Sequence, residues 1–199
     1  MRKNATKIAA MMLSLALTVT SVNIPTTSSA AAKVKLNSTK ATLYVGGSSA
    51  KKTKTLKATF NGKKVKATFT SSNSKVAKVA KKTGKVTAVK KGSATITAKY
   101  KGKKATAKIT VKQYVTGVTT SQDVVELKEG EHINLSKLIT VSPASANNKA
   151  LSYKSDDSLV AAVNGTGTVL KGVKEGTTSI KVTAKDGSKQ YTNVRVNVT

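Results

Sequence analysis

Apolar residues occupy every second position in four successive stretches of this chain, and that period confines it to half-buried β-strands. Leu56, Ala58 and Phe60 alternate with Thr55, Lys57 and Thr59, and Val65, Ala67 and Phe69 with Lys64, Lys66 and Thr68. Ala94, Ile96, Ala98 and Tyr100 alternate with Thr95, Thr97 and Lys99, and Ala105, Ala107, Ile109 and Val111 with Thr106, Lys108 and Thr110. Successive side chains of a strand point to opposite faces, so each stretch has one dry face and one wet face. Asn61-Gly62 and Lys101-Gly102 fall between strand pairs, where a hairpin turn needs positive φ. Aromatic content of only 4% would suit a disordered Lys/Ala/Thr tract, but such a tract has no reason to alternate over four strands.

The second half repeats the first at an offset of 84 residues. Phe69 to Val79 aligns without a gap to Tyr153 to Val163, and Val89, Lys90, Gly92 and Ile96 fall on Val173, Lys174, Gly176 and Ile180. One architecture used twice follows. Phe69 and Tyr153 are expected at equivalent buried positions, with Gly92 and Gly176 turning the chain into the next strand.

Four motifs recur in fixed order: Phe69-Thr-Ser-Ser-Asn73, Val76-Ala-Lys-Val79, Gly84-Lys-Val-Thr-Ala88 and Gly92-Ser-Ala-Thr-Ile-Thr-Ala98. The second copy is looser, with Tyr153-Lys-Ser-Asp-Asp157, Val160-Ala-Ala-Val163, Gly167-Thr-Val169 and Gly176-Thr-Thr-Ser-Ile180. At these residues the chain resembles the bacterial immunoglobulin-like domains of group 2, with Phe69 and Tyr153 standing where that family commonly has Trp. The resemblance implies an all-β protein of two tandem immunoglobulin-like β-sandwich domains, and surface or adhesion roles. Many short strands with closely spaced turn signals agree with a sandwich.

Charge divides the chain at the same place. Lys33 to Lys112 holds 23 lysines and no acid, whereas Gln113 to Thr199 holds 10 basic and 8 acidic residues. The expected organisation is a secretory signal over 1–32, a Lys-rich domain over 33–112 and a nearly neutral one over 113–199. Arg2, Lys3 and Lys7 form the positive start of the signal, Ile8 to Val22 its uncharged core, and Ser28 to Ala32 its small-residue cleavage region. Diluted by Ser14, Thr18, Thr20 and Ser21, that core is too short for an anchor, and nothing after Ala32 is apolar enough to span a membrane. A secreted, extracellular protein associated with the cell wall or cell surface is expected. The chain has no cysteine, which removes disulfides, thiolate chemistry and lipid attachment.

Little else suggests chemistry. His132 is the one histidine, in Glu129-Gly-Glu-His-Ile133, and reads as a solvated residue entering a strand rather than part of a relay. Turn preferences account for Asp156-Asp157 and Asp186. Gly165-Thr-Gly167 opens no helix and is no phosphate loop. No enzyme, cofactor or metal site is expected.

The lysines are the informative feature. Self-repulsion among 23 like charges opposes the compact state, and solubility alone requires far fewer. Lys64, Lys66, Lys99 and Lys108 lie opposite the apolar positions, and a shared sheet would project them from one outer surface. Lys57 would join them if Asn61-Gly62 closes a tight hairpin. These five residues are the candidate polyanion-binding set. Lysine acts as a point charge, and Arg2 and Arg195 are the only arginines, so diffuse salt-sensitive association is expected rather than base readout. Anionic cell-envelope polymers or acidic glycans are the expected partners, with nonspecific extracellular DNA as an alternative. A purely structural surface spacer is the other.

Overall fold

A computed structural model describes residues 32–47, 50–165 and 167–199. The expected signal lies, but for Ala32, outside the described residues. The first half forms β1 (Val34–Leu36), β2 (Lys40–Val45), β3 (Thr53–Thr55), β4 (Ala58–Phe60) and β5 (Lys63–Val65), then β6 (Thr68–Ser71), β7 (Ala77–Val79), β8 (Lys85–Ala88), β9 (Gly92–Tyr100) and β10 (Lys103–Gln113). The second half forms β11 (Gly117–Thr120), β12 (Val124–Leu127), β13 (His132–Asn134), β14 (Ile139–Ser142) and β15 (Leu151–Ser155), then β16 (Ala161–Val163), β17 (Val169–Gly172), β18 (Gly176–Ala184) and β19 (Tyr191–Val198).

Both halves use one topology. A four-stranded sheet runs β2-β10-β9-β6 in the first and β12-β19-β18-β15 in the second. The pairs β2/β10 and β12/β19 are parallel and the remaining neighbours antiparallel. Sheets β3-β8-β7 and β13-β17-β16 match in the same way, while β1-β4-β5 corresponds to the pair β11-β14. The tandem immunoglobulin-like reading of the repeat is therefore realised in every strand but β5, which has no counterpart in the second half.

Each half closes over its own hydrophobic cluster. Leu43, Leu56, Val86, Ile96 and Ile109 centre the first, and Leu135, Leu170, Ile180, Val182 and Val194 the second. The apolar positions of the alternating stretches turn inward as expected, down to Ile96, Ala98 and Ile109 at 0% exposure. Phe60 and Tyr100 are only half-buried; their rings meet edge to face at 5.4 Å.

Two stretches read as single strands are each two. The chain breaks at Leu56–Lys57 between β3 and β4, and at Lys66–Ala67 between β5 and β6, and passes from one sheet to another at both places. Alternation persists through these corners because it records which side of the chain faces the core, not which sheet the strand has joined.

Phe69 lies opposite Ala98, and Tyr153 opposite Val182, so the two aromatics are register-equivalent. Their burial differs. Phe69 is 5% exposed and sits so close over Gly84 that an added Cβ there would lie 2.8 Å from its ring. Tyr153 is half-buried, with its ring 3.6 Å from the same point on Gly167. Val182 fills more of the space that Ala98 leaves free, and a phenol retains its hydroxyl best near water.

Gly92 and Gly176 open β9 and β18 at φ 148° and 149°, and a Cβ on either would approach the Val76 or Val160 side chain to 3.0 or 3.1 Å. L-residues rarely adopt that backbone. Gly92→Ala is expected to lower the unfolding free energy by about 1–3 kcal/mol. Denaturant unfolding checks this, and an unchanged midpoint would contradict it.

Candidate functional site

The outer face of β2-β10-β9-β6 is built from the wet half of the alternation. It carries Lys40, Thr42 and Tyr44 on β2; Lys104, Thr106, Lys108, Thr110 and Lys112 on β10; and Ser93, Thr95, Thr97 and Lys99 on β9. Register places Lys104 directly across from Lys99, and Lys108 directly across from Lys40. Thr106 pairs with Thr97, and Thr110 with Ser93 and Thr42, so hydroxyl rows separate the lysine rows. Lys112 pairs with Tyr44 at the end of the sheet. At about 3.3 Å per residue, Lys104, Lys108 and Lys112 recur along β10 about every 13 Å. Lys40, Thr42, Lys108 and Thr110 border an open depression of about 260 Å³.

The five candidate lysines do not form one cluster. Lys99 and Lys108 belong to this face. Lys64 lies on β5, in sheet β1-β4-β5, because the chain changes sheet at Lys66–Ala67. Asn61-Gly62 does close a tight hairpin, at φ 49° and 80°, but it joins β4 to β5 and carries Lys57 away from the four-stranded sheet. Lys57, Lys64 and Lys66 meet instead, with Lys82, around a depression of about 170 Å³ floored by Leu56, Val65 and Phe69. Sequence reasoning missed Lys40, Lys82, Lys104 and Lys112. The fourfold spacing of Lys104, Lys108 and Lys112 was a readable signal; Lys40 enters only through the parallel pairing of β2 with β10.

The second half serves as an internal comparison. Arg195 stands where Lys108 does and pairs with Val124; Tyr191 stands where Lys104 does and pairs with Thr183. Asn197 donates to Glu126 at 2.8 Å, and the Lys181 ammonium lies 4.5 Å from the Tyr191 ring centre. The same sheet thus forms with Val124, Tyr191 and Arg195 in place of Lys40, Lys104 and Lys108, and its opposed lysines, Lys154 and Lys181, stand on β15 and β18 instead.

The junction between the halves is tightly tied. Tyr44 and Tyr114 stack with centroids 4.4 Å apart and planes at 19°. Asp186 accepts from the linker amide of Val115 at 2.6 Å and from Ser188 N–H at 2.9 Å. Gln113 N–H donates to Asn147 Oδ1 at 2.7 Å, Asn147 N–H returns to Gln113 O at 2.9 Å, and Lys91 Nζ donates to Ser145 O at 2.8 Å. Burial, with smaller contributions from Tyr44 and Asp186, raises the Tyr114 phenol above the ordinary tyrosine value and keeps it protonated at neutral pH. Asp157 Oδ1 accepts from Leu159 N–H at 2.9 Å within its turn, and His132 is exposed at the start of β13.

The sequence pattern of the family described as "Bacterial Ig-like domain (group 2)" matches residues 30–111 and 114–194. An "Ig-like virion protein" of Serratia phage KSP90 is 40% identical over 75 residues, covering 38% of this chain and 28% of that protein. The chain thus matches little more than a quarter of that relative's length. Among solved structures, the S-layer protein rSbsC(31-844) is 23% identical, with 84% of this chain and 28% of that one covered and a TM-score of 0.38. The C-terminal 282-residue fragment of intimin, solved with the intimin-binding domain of its translocated receptor, is 17% identical, with 84% and 64% covered and a TM-score of 0.46.

Proposed function

This chain belongs to the bacterial immunoglobulin-like domain (group 2) family, and we propose that it is an exported, surface-associated, non-enzymatic binding protein whose first sandwich takes anionic polymers. The opposed pairs Lys99/Lys104 and Lys40/Lys108 carry the reading. Like charges directly across a ladder destabilise a sheet. No acid precedes Asp123 in the sequence to offset them, whereas the opposed pair of the second sandwich, Lys154/Lys181, has the Lys181 ammonium over the Tyr191 ring. A surface built only for solubility is better served by interspersed signs. An anionic chain laid over the lysine rows relieves the repulsion and releases counterions. Anionic envelope polymers of the teichoic-acid kind, or acidic glycans, suit this face. It offers no arginine fork and only Tyr44 as an aromatic, which disfavours base readout and extended stacking.

Thermal unfolding in about 20 mM salt tests the proposal. Heparin or teichoic acid at about 100 times its dissociation constant is expected to stabilise the protein by about 2.7 kcal/mol. The gain should fade as salt rises. No shift with either polymer at low salt would leave the chain a spacer with a solubilising surface.

A further inference from the structure

The lysine row of β10 does not end in open solvent. Its last member, Lys112, also lines a cleft of about 270 Å³ at the junction, together with Tyr44, Tyr114 and, from the second sandwich, Asn147 and Lys185. We infer that this cleft is a saccharide subsite, taking one acidic sugar unit of a polymer that runs along the adjoining lysine face. The inference rests on the polyanion reading and narrows it, from any anionic chain to a sugar-bearing one.

Three observations converge. The first is size: the cleft stands at the small end of ligand pockets, suited to a single sugar ring rather than an oligomer. The second is wall chemistry. The stacked tyrosines provide a flat apolar plate beside two ammonium groups, three side-chain amides and the Asp186 carboxylate. Because Asn147 Oδ1 is engaged by Gln113 N–H, that side chain presents its NH₂ donors. Hydroxyl-rich rings with a carboxylate satisfy such a mixture: ring carbons on the plate, oxygens toward the donors, the acid between Lys112 and Lys185. Asp186 opposes an anion less than its charge suggests, because its two oxygens already accept the amides of Val115 and Ser188. The third is preorganisation. The Gln113–Asn147 pair, the Lys91–Ser145 contact and the Asp186 clamp hold both walls of the cleft before anything binds. Fixed walls reduce the ordering cost of binding. A nucleobase would stack on the same outer tyrosine face, so single-stranded DNA is the competing ligand in the test.

The test compares polygalacturonate, polyphosphate of equal charge and single-stranded DNA, each titrated against the full chain at several salt concentrations. The wild-type protein is expected to bind the uronate about tenfold more tightly than polyphosphate, the equivalent of one or two hydrogen bonds. Tyr44→Ala should abolish that preference and leave polyphosphate binding intact, while Tyr44→Phe retains most of it. If Tyr44→Ala disturbs folding, Lys185→Gln on the exposed rim should reduce uronate binding more than polyphosphate binding. Equal affinities for the two polymers in the wild type would overturn the subsite but leave the lysine face standing. DNA binding that exceeds the uronate and is lost with Tyr44→Ala would make the cleft a base platform. Absence of binding by all three polymers at low salt would remove the subsite and the polyanion reading together.

Discussion

With Lys40, Lys99, Lys104 and Lys108 all changed to glutamine, the protein should lose most of the salt dependence of its binding to heparin or teichoic acid. Four neutralised charges correspond to a log–log slope of about −3 to −4, by analogy with nucleic-acid polyanions. Between about 50 and 200 mM salt that slope weakens the wild-type complex by about a hundredfold, whereas the variant should change little. The fold should survive, because all four side chains are exposed. Stability should rise by about 0.2–1 kcal/mol for each opposed pair removed. A matched variant with Lys57, Lys64, Lys66 and Lys82 changed to glutamine removes the same charge from the other cluster. It should keep a steeper slope, because its lysines surround a local depression instead of following a strand. Equal slopes for wild type and the first variant would reduce the opposed lysines to solubilising surface. A loss confined to the matched variant would move the site to the depression over Phe69.

Phe69→Ala should cost the first sandwich about 3–5 kcal/mol, as large aromatic core deletions do. The ring is almost fully buried, packs over Gly84, and lies against β9 opposite Ala98. A sandwich of about 80 residues without a disulfide has little stability to lose, so the variant is expected to be largely unfolded at 37 °C. Tyr153→Ala, at the equivalent but half-buried position, should cost less. Separate melting of the two halves, followed by calorimetry, distinguishes these outcomes. A Phe69→Ala protein that melts within a degree or two of wild type would contradict the packing described for β6.

Alternation and repetition are local properties, and what depends on them was legible in the chain. Leu56, Ala58, Ala67, Phe69, Ile96 and Ile109 face inward where a period of two places them. Phe69 and Tyr153, and likewise Gly92 and Gly176, are equivalent because the repeat aligns them. The wet side of each strand, and hence the exposure of Lys64, Lys99 and Lys108, followed by the same rule.

Sheet membership did not follow. The wet side of a strand is defined by its own residues, but which strand lies next to it is decided by pairing across the whole sandwich. The corner at Lys66–Ala67 therefore divided a set of lysines that alternation alone had joined. Lys40 and Lys108 are 68 positions apart and become neighbours only through the parallel pairing of β2 with β10. The junction cleft is more distant still from any local signal. Asp186 looked like a turn residue and is one, through Ser188, but its other oxygen accepts Val115 N–H from 71 positions away. Tyr44 and Tyr114 belong to no shared motif, and their stack arises only where β2 ends beside the linker leaving β10. The sequence by itself determined the strands, their inner faces and the repeated architecture, because backbone geometry imposes those residue by residue. Only the tertiary structure decided which charges stand together and what closes the junction, because those depend on contacts between segments far apart in the chain.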